Sequence, residues 1–404
     1  MTAAPRPLAG LRVLEFGHTI MGPCAGMVLA DLGADVIKVE QAPQGDRTRT
    51  LPGMAAGFFT TFNRNKRSIA LDLKTPGGRG AAHRLVAGAD IVVENFGPGT
   101  MERLQCGWDD LSKINPQLIY LALKGFLAGP YEHRAALDEV VQFQAGLAYM
   151  TGPPGRPLRA GASVIDILGA VFGVTAVLAA LRERDTTGKG QRIGSSLFES
   201  AVFLMGSHMA GGVAVGQPVP PMPARLGAWG VYDVFSTSDG RQFFLGLTSD
   251  AHWKRFCAVF DVPGEIADDP RLADNTGRVA HRDWLIPKLN ALIAPMTVAD
   301  ATGRCEAEVL PWAPVGRPDD LFEDPHLLSG GGLLQTLARA VDGLRLVGLP
   351  ALPVEFGRQR LGLTRQPPGI GEHGREVLAE AGYGAGEIDA LIASGALAAG
   401  LPLR

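Results

Sequence analysis

The chain has 404 residues, a length that predicts two domains rather than a single hydrophobic core. Its hydrophobic content of 46% and charged content of 20% are those of a globular protein. With a formal net charge of −3, the chain has no overall attraction for nucleic acid or for an anionic membrane, and neither is expected as a partner. Any anion site must therefore be a local cluster of cations.

The cysteines predict neither a metal centre nor a disulfide framework. Cys24, Cys106, Cys257 and Cys305 share no CxxC or Cys/His spacing, which favours a reducing compartment. The N-terminal residues contain no apolar stretch typical of a signal peptide. The longest apolar run, 164–181, contains a carboxylate and two glycines and is interpreted as a buried helix rather than a membrane span. These features predict a cytoplasmic protein with no bound metal.

The first part of the chain alternates short apolar strands with helices. This pattern predicts βαβ units and an α/β fold with a parallel sheet covered on both faces. The predicted strands are 11–16, 36–40, 68–73, 91–96, 118–123 and 191–197, and the predicted helices are 22–32, 76–86, 164–181 and 198–213.

A proline-rich segment, 216–223, is the clearest linker, and the pattern changes beyond it. Two apolar runs flank Ser238-Asp239-Gly240 and predict a hairpin. We therefore expect a smaller α+β domain over 216–325. The predicted elements from here on are strands 231–237, 242–247, 333–338 and 344–349, and helices 250–260, 281–293, 298–309, 374–381 and 387–392.

Asp166 is the most informative residue, because it is a single carboxylate at the start of the apolar helix. An unpaired buried charge is unfavourable and needs a compensating role. One role is structural: an Asp can cap a helix by accepting backbone N–H bonds. The other is chemical: a desolvated, ionised carboxylate suits attack on an acyl carbon. The segment alone favours the cap and leaves the nucleophile open.

Three cations crowd the segment Asn63-Arg64-Asn65-Lys66-Arg67-Ser68. The segment is either a solvated loop or, together with Lys74 and Arg103, a clamp for phosphate. Arg and Lys are the natural partners of phosphate oxygens. The sequence leaves these two alternatives open.

Two turns are candidate ligand sites. Residues 17–23 join the first predicted strand to a helix, where the polar end of a ligand settles in an open parallel sheet. Their glycines lack the GxGxxG spacing of a dinucleotide site, and His18 is interpreted as a hydrogen-bonding residue more readily than as a base. Residues 94–99 contain two glycines and a proline, so this backbone can approach a ligand or simply turn.

A series of motifs, in this order, resembles the class III CoA-transferases of the CaiB/BaiF type. That family includes formyl-CoA transferases, carnitine CoA-transferase and the α-methylacyl-CoA racemases, and the resemblance covers nearly the whole chain. The motifs are LADLGADVIKVE at 29–40, NRNKRSI at 63–69, VENFGPG at 93–99, NPQLIY at 115–120, TGKGQ at 187–191 and GEH at 371–373.

The resemblance implies a Rossmann-like large domain built from residues 1–215 and 326–404, with the small domain 216–325 inserted between. It also implies a homodimer whose two subunits interlock like linked rings. Asp166 matches the family's catalytic aspartate, which implies attack on a donor thioester, a mixed anhydride and then an aspartyl-CoA thioester. Coenzyme A enters as the acyl-CoA substrate and no permanent cofactor is implied, because each step exchanges acyl groups of similar energy.

Carried over position by position, the resemblance also implies a set of CoA and substrate contacts. Gln41 matches a contact position but lacks the cation of formyl-CoA transferases, and Asp138 matches an acidic residue near the reacting centre. The implied contacts are Thr19, Ile20, Gln41, Leu71 through Lys74, Asn95, Phe96, Gly97, Arg103, Ala135, Ala136 and Asp138.

Two departures from the family pattern narrow the activity. Racemases carry a His directly before the position of Asp138, but this chain has Leu137, which cannot move a proton, and His133 lies four residues upstream. Formyl-CoA transferases carry a Gln at the position of Ile20 and a polyglycine lid, whose nearest counterpart here is 225–230. Formate and oxalate are therefore disfavoured, and a bulkier acid is favoured.

The sequence thus predicts a CoA-transferase that moves CoA from succinyl-CoA or another dicarboxylic acyl-CoA to an acid such as mesaconate, citramalate or itaconate. The stretch 246–254 resembles that of enzymes handling dicarboxylic acyl groups, and Arg225 and Arg64 are candidates to bind a second substrate carboxylate. One rival prediction is an α-methylacyl-CoA racemase or epimerase, against which Leu137 argues. The other is a non-catalytic CoA-binding subunit, against which Asp166 argues.

Overall fold

The computed structural model describes residues 6–224, 227–341 and 343–403. The chain divides into two compact units, one within Met1–Pro223 and Pro325–Arg404 and the other within Ala224–Asp324. Asp166 and all the predicted CoA contacts lie in the first unit.

The first unit is built on a six-stranded parallel sheet, which confirms the predicted α/β fold. Its strands are β1 (Arg12–Phe16), β2 (Asp35–Gln41), β3 (Lys66–Leu71), β4 (Ile91–Glu94), β5 (Ile119–Lys124) and β6 (Gln191–Ser196). Their order across the sheet is β3-β2-β1-β4-β5-β6. The order reverses between β1 and β4, and ligands of open α/β sheets bind in the crevice at such a point.

Helices cover both faces of this sheet. In chain order they are α1 (Met21–Asp31), α2 (Phe58–Phe62), α3 (Pro76–Val86), α4 (Thr100–Arg103), α5 (Trp108–Ile114), α6 (Asp138–Gln144), α7 (Leu147–Thr151), α8 (Val164–Thr187) and α9 (Leu197–Val215). Helices α1 and α8 contribute to the core on one face, and α3 and α5 to the core on the other. Gly169 allows α8 to lie close to α1, because a Cβ there would strike Met21.

By length and composition alone, helices α8 and α9 could cross a membrane. Buried core helices of other proteins meet the same criterion. Helix α8 packs against α1, β5 and β6. This packing accounts for its apolar sequence.

The second unit is a small α+β fold with its own core. Its sheet is antiparallel, in the order β7-β8-β9, with strands β7 (Val231–Ser236), β8 (Gln242–Leu247) and β9 (Trp312–Pro314). The predicted hairpin is present, with Ser236 paired to Gln242. The helices are α10 (Asp250–Val259), α11 (Gly264–Ala267), α12 (Asn275–Ala280), α13 (Arg282–Ile293) and α14 (Val298–Ala307).

The last segment of the chain belongs to the first unit. Two antiparallel ribbons pair β10 with β11 and β12 with β13, and side chains of α16 and α17 enter the core beside α3. These elements are α15 (Pro325–Ser329), β10 (Leu333–Ala340), β11 (Gly343–Pro350), β12 (Glu355–Phe356), β13 (Gln359–Arg360), α16 (Gly374–Glu380) and α17 (Ala385–Ala393).

Candidate active site

Asp166 lies in the first turn of α8 but does not cap it. Ser163, the residue at the N-cap position, makes no side-chain capping bond. Instead the Asp138 carboxylate, at the start of α6, accepts hydrogen bonds from the backbone N–H groups of Ile165 and Asp166 at 2.8 and 3.1 Å. The capping role suggested for Asp166 therefore belongs to Asp138. Within the described part of the chain, no donor holds the Asp166 carboxylate, so its oxygens are available to a substrate.

The environment of Asp166 makes its carboxyl a weak acid. Burial, and then the negative charge of Asp138, raise the pKa of Asp166 from 3.8 to about 7. The sequence had predicted an ionised carboxylate, so this is a correction. With such a pKa the carboxylate is about half ionised at neutral pH, and the fraction able to attack an acyl carbon rises with pH.

Two turns at the switch point of the sheet are joined by one side chain. The Asn95 amide, directly after β4, accepts a bond from the His18 backbone N–H and donates one to the His18 carbonyl, both at 2.9 Å. Gly22 makes room for this link, because a Cβ there would lie 2.7 Å from Asn95 Oδ1. The His18 ring lies against Phe96, with centroids 5.3 Å apart. The turn that contains Thr19 is therefore fixed to the turn that follows β4.

These turns form one wall of a cavity of about 230 Å³ that contains Asp166. Apolar side chains also line it, among them Met21 of α1, Leu123 of β5 and Leu197 of α9. The predicted contacts that lie here with Asp166 are Thr19, Ile20, Asn95, Phe96, Gly97, Ala135, Ala136 and Asp138.

The other predicted contacts line two neighbouring cavities along the carboxyl ends of the strands. One has a volume of about 410 Å³ and is lined by Gln41, Leu71 through Lys74 and Arg103. The other, of about 380 Å³, is lined by Thr19 and Gln41 among others. Phe96 lines all three cavities. The structure thus brings the implied CoA contacts together as one continuous series that ends at Asp166.

The cationic segment 63–68 lies outside this series. All of its residues are buried, and the Arg64 guanidinium holds the Asp31 carboxylate at 2.7 Å. Arg67 pairs with Asp35 at 2.6 Å and with two glutamates of α16 at 2.8 Å. Both interpretations of this segment were therefore wrong: it is neither a solvated loop nor a phosphate clamp. Its cations have internal carboxylate partners, so Arg64 is not placed to bind a substrate, and Arg225 lies outside the described residues.

A buried group of four charges, which the sequence analysis did not predict, lies behind the turn after β1. Glu15, Lys38 and Lys66 are 0% exposed. Glu15 pairs with both lysines, and Lys38 also pairs with Asp46 at 2.9 Å. Burial lowers the pKa of Lys66, and the charge of Glu15 raises it only in part, so that the pKa is about 8. Burial opposes the charge of Lys38 as well, but Glu15 and Asp46 outweigh it and raise the pKa of Lys38.

This charged group holds the backbone of two cavity-lining segments. Lys38 donates to the carbonyl of Gly17 and Lys66 to that of Pro23, both at 2.8 Å. Asp46 accepts bonds from the backbone N–H and the hydroxyl of Thr48 at 2.9 and 2.7 Å. The turn that carries Thr19 and Ile20 is thus fixed at both ends. A fully paired buried group of this kind specifies geometry more than it adds stability.

The structure also places two basic side chains in the Asp166 cavity that sequence reasoning missed. Lys124, at the end of β5, contacts Glu94 at 2.7 Å and the Phe96 carbonyl at 2.8 Å. Arg134 lies on the loop before α6 and lines the same cavity. Its position next to the matched residues Ala135 and Ala136 was the only available signal.

The site offers no second proton-transfer group where a racemase of this family has one. Leu137 lines the Asp166 cavity, as the sequence suggested. His133 instead lines a different cavity, which shares Lys124 with the first, and lies 3.1 Å from Glu132. This arrangement gives the racemase alternative no support.

A weakly acidic carboxylate at the start of a helix, beside the crevice of a parallel sheet, is a candidate nucleophile for acyl transfer. The CoA-transferase family III profile matches residues 8–374, and the chain belongs to this family of enzymes. It is 35% identical over 390 residues to the succinate–glutarate CoA-transferase of Agrobacterium fabrum, covering 93% of this chain and 95% of that one. It is 33% identical over 405 residues to the succinyl-CoA:mesaconate CoA-transferase of Haloarcula hispanica, covering 94% and 97%. A solved structure of a CaiB/BaiF family protein from Brucella suis matches with a TM-score of 0.82 and 33% identity, covering 94% of this chain and all of that one.

Proposed function

We propose that this enzyme transfers CoA from succinyl-CoA or another dicarboxylic acyl-CoA to a second carboxylic acid such as glutarate, mesaconate, citramalate or itaconate. The observation that carries the proposal is the position of Asp166 in one cavity with the residues that the family resemblance assigns to CoA. The named substrates of the relatives from Agrobacterium fabrum and Haloarcula hispanica support the dicarboxylic class.

In the proposed cycle Asp166 is the nucleophile. Its carboxylate oxygen attacks the thioester carbonyl of the donor, the C–S bond breaks, and a mixed anhydride and CoA thiolate form. The thiolate then attacks the Asp166 carbonyl of the anhydride, which releases the donor acid and leaves an aspartyl-CoA thioester. The acceptor carboxylate attacks that thioester, and the released thiolate attacks the acceptor's acyl carbonyl in the second anhydride. The products are the new acyl-CoA and free Asp166, so atoms and charges balance.

The surroundings of Asp166 suit these steps. Asp138 holds the backbone N–H groups of the first turn of α8, which keeps the nucleophile in place while its side chain changes partners. Ile20, Met21 and Leu197 supply apolar wall to the cavity. Such a wall limits access of water, which would hydrolyse the anhydride and the thioester.

We also propose that the enzyme is an interlocked homodimer. Helix α9 presents Phe203, Met209, Val213 and Val215 to solvent, each more than half exposed in the single chain. Several exposed apolar side chains on one helix are typical of a protein interface. Light scattering of the purified protein tests the dimer: a monomeric mass would contradict it.

A cytoplasmic location is likewise a proposal. It is supported by the four cysteines, none of which forms a disulfide and three of which are buried.

Intact-protein mass spectrometry tests the transferase. Wild type and Asp166→Ala, which lacks the nucleophile, are each mixed with succinyl-CoA and then with other dicarboxylic acyl-CoA donors. Asp185→Ala, an exposed carboxylate near the other end of α8, is the matched control. We expect a CoA-sized adduct on wild type and on Asp185→Ala, absent from Asp166→Ala and discharged by one of the acceptor acids. An adduct that persists in Asp166→Ala would overturn the proposal, and so would its absence from wild type with every dicarboxylic donor.

A further inference from the structure

Most of the charged groups that line the Asp166 cavity are already committed to partners. Asp138 is engaged by the N-terminus of α8, and Lys124 is neutralised by a buried glutamate. Desolvation lowers the pKa of His18, which leaves its ring neutral at pH 7. The remaining cation that lines the cavity is Arg134.

Arg134 is anchored but not paired with an anion. Its guanidinium lies over the ring of Tyr131, 3.9 Å from the centroid, and its backbone N–H donates to the Tyr131 carbonyl at 2.9 Å. Tyr131 is itself packed edge-on against Phe126 and Phe198, at 5.7 and 6.5 Å between centroids. Among the described residues Arg134 has no carboxylate partner, so its positive charge is available to a ligand.

We propose that Arg134 binds the distal carboxylate of a dicarboxylic acyl group and thereby selects diacids over monoacids, an inference that rests on the proposed transferase activity. The cavity already contains the Asp138 carboxylate, and in the resting enzyme that of Asp166 as well, so the second negative charge of a diacid is unfavourable there unless a cation meets it. A guanidinium can do so with two parallel N–H···O bonds. Arg134 takes the role that the sequence had assigned to Arg225 or Arg64.

The test compares two acceptor acids that differ in one group. Glutarate and pentanoate have the same chain length, but pentanoate carries a methyl group in place of the distal carboxylate. In ping-pong kinetics with succinyl-CoA as donor, kcat/KM for an acceptor depends only on the half-reaction that starts from the CoA-loaded enzyme. The ratio of kcat/KM for glutarate to that for pentanoate therefore isolates recognition of the distal carboxylate.

We expect Arg134→Met to lower kcat/KM for glutarate by about 10- to 100-fold, the effect of losing charge-assisted hydrogen bonds. The value for pentanoate should stay close to that of wild type, and Arg134→Lys should restore part of the glutarate rate. Arg156→Met is the control, because Arg156 is an exposed arginine outside the lining of this cavity. Its glutarate-to-pentanoate ratio should equal that of wild type.

Two results would overturn the assignment while the transferase stands. One is an unchanged glutarate-to-pentanoate ratio in Arg134→Met, provided that wild type forms the CoA adduct. The other is an equal loss with both acids together with weaker calorimetric binding of free CoA, which would show that Arg134 contacts a CoA phosphate instead. If wild type forms no adduct at all, the proposed function fails and this assignment fails with it.

Discussion

Replacing Asp166 with Asn should stabilise the protein at alkaline pH while it abolishes transfer. Burial and Asp138 raise the pKa of Asp166 from 3.8 to about 7. Between these values the folded chain keeps a proton on the carboxylate and the unfolded chain does not. The native state therefore has its full stability below 3.8 and loses stability as the pH rises through about 7. The whole difference corresponds to about 4 kcal/mol, and Asn, which is neutral and similar in shape, avoids the loss.

Urea denaturation of wild type and Asp166→Asn at about pH 5 and about pH 8.5 measures this effect. Wild type has already lost about 1.7 kcal/mol at about pH 5, so the advantage of the variant should grow by at most about 3 kcal/mol at the higher pH. Asp185→Asn is the control and should show no growth, because that side chain is exposed. If the free energies of unfolding of wild type and Asp166→Asn differ by the same amount at both pH values, the carboxyl has an ordinary pKa and the reasoning is wrong.

Three other perturbations test the rest of the site. The kcat/KM for the donor succinyl-CoA should rise with pH around a midpoint near 7. Asp138→Asn should lower that midpoint, because the neighbouring negative charge is lost, and an unmoved midpoint would show that this charge has no influence on Asp166. Lys38→Met should lower the free energy of unfolding by about 3–5 kcal/mol, since it leaves the buried Asp46 carboxylate without its cation, and a loss under about 1 kcal/mol in urea denaturation would contradict that account. Gly22→Ala should weaken calorimetric binding of CoA, because the added Cβ would lie 2.7 Å from Asn95 Oδ1; wild-type affinity would show that the link between the turns is dispensable.

The sheet could be predicted from sequence because its strands are short, apolar and buried on both faces. Strands β4 and β5, whose Val92 and Leu121 are 0% exposed, begin within one residue of the expected positions. The hairpin was equally accessible, since Gly240 adopts the positive φ of 71° that its turn requires. In these elements the signal lies within a few neighbouring residues.

Strand β3 could not be predicted correctly from its neighbouring residues alone. It begins at Lys66, two residues earlier than expected, because its first charged residues are buried rather than solvated. Their burial depends on partners far away in sequence: Lys66 meets Glu15 across 51 positions, and Arg67 meets Glu380 across 313. A run of cations looks like a surface loop until the carboxylates that neutralise it are known.

The family resemblance predicted many of the residues that line the Asp166 cavity, but not the role that each one plays there. Family resemblance singled out both Asp138 and Asp166, yet only the folded chain reveals that the first carboxylate caps the helix of the second across 28 positions. Arg134 was missed for a similar reason. An arginine in an exposed loop has no distinctive pattern, and its interest comes from the cavity that it shares with Asp166.

The closeness of Asp138 to Asp166 also bears on the lifetime of the covalent states in the proposed cycle. A free Asp166 anion suffers both desolvation and the repulsion of Asp138. An anhydride or a thioester formed on the same carboxyl group is neutral and suffers neither, so forming the adduct relieves an unfavourable electrostatic interaction. The acylated enzyme is thereby favoured over its resting anion. With the acceptor acid withheld, the aspartyl-CoA adduct should accumulate to a level at which it can be trapped.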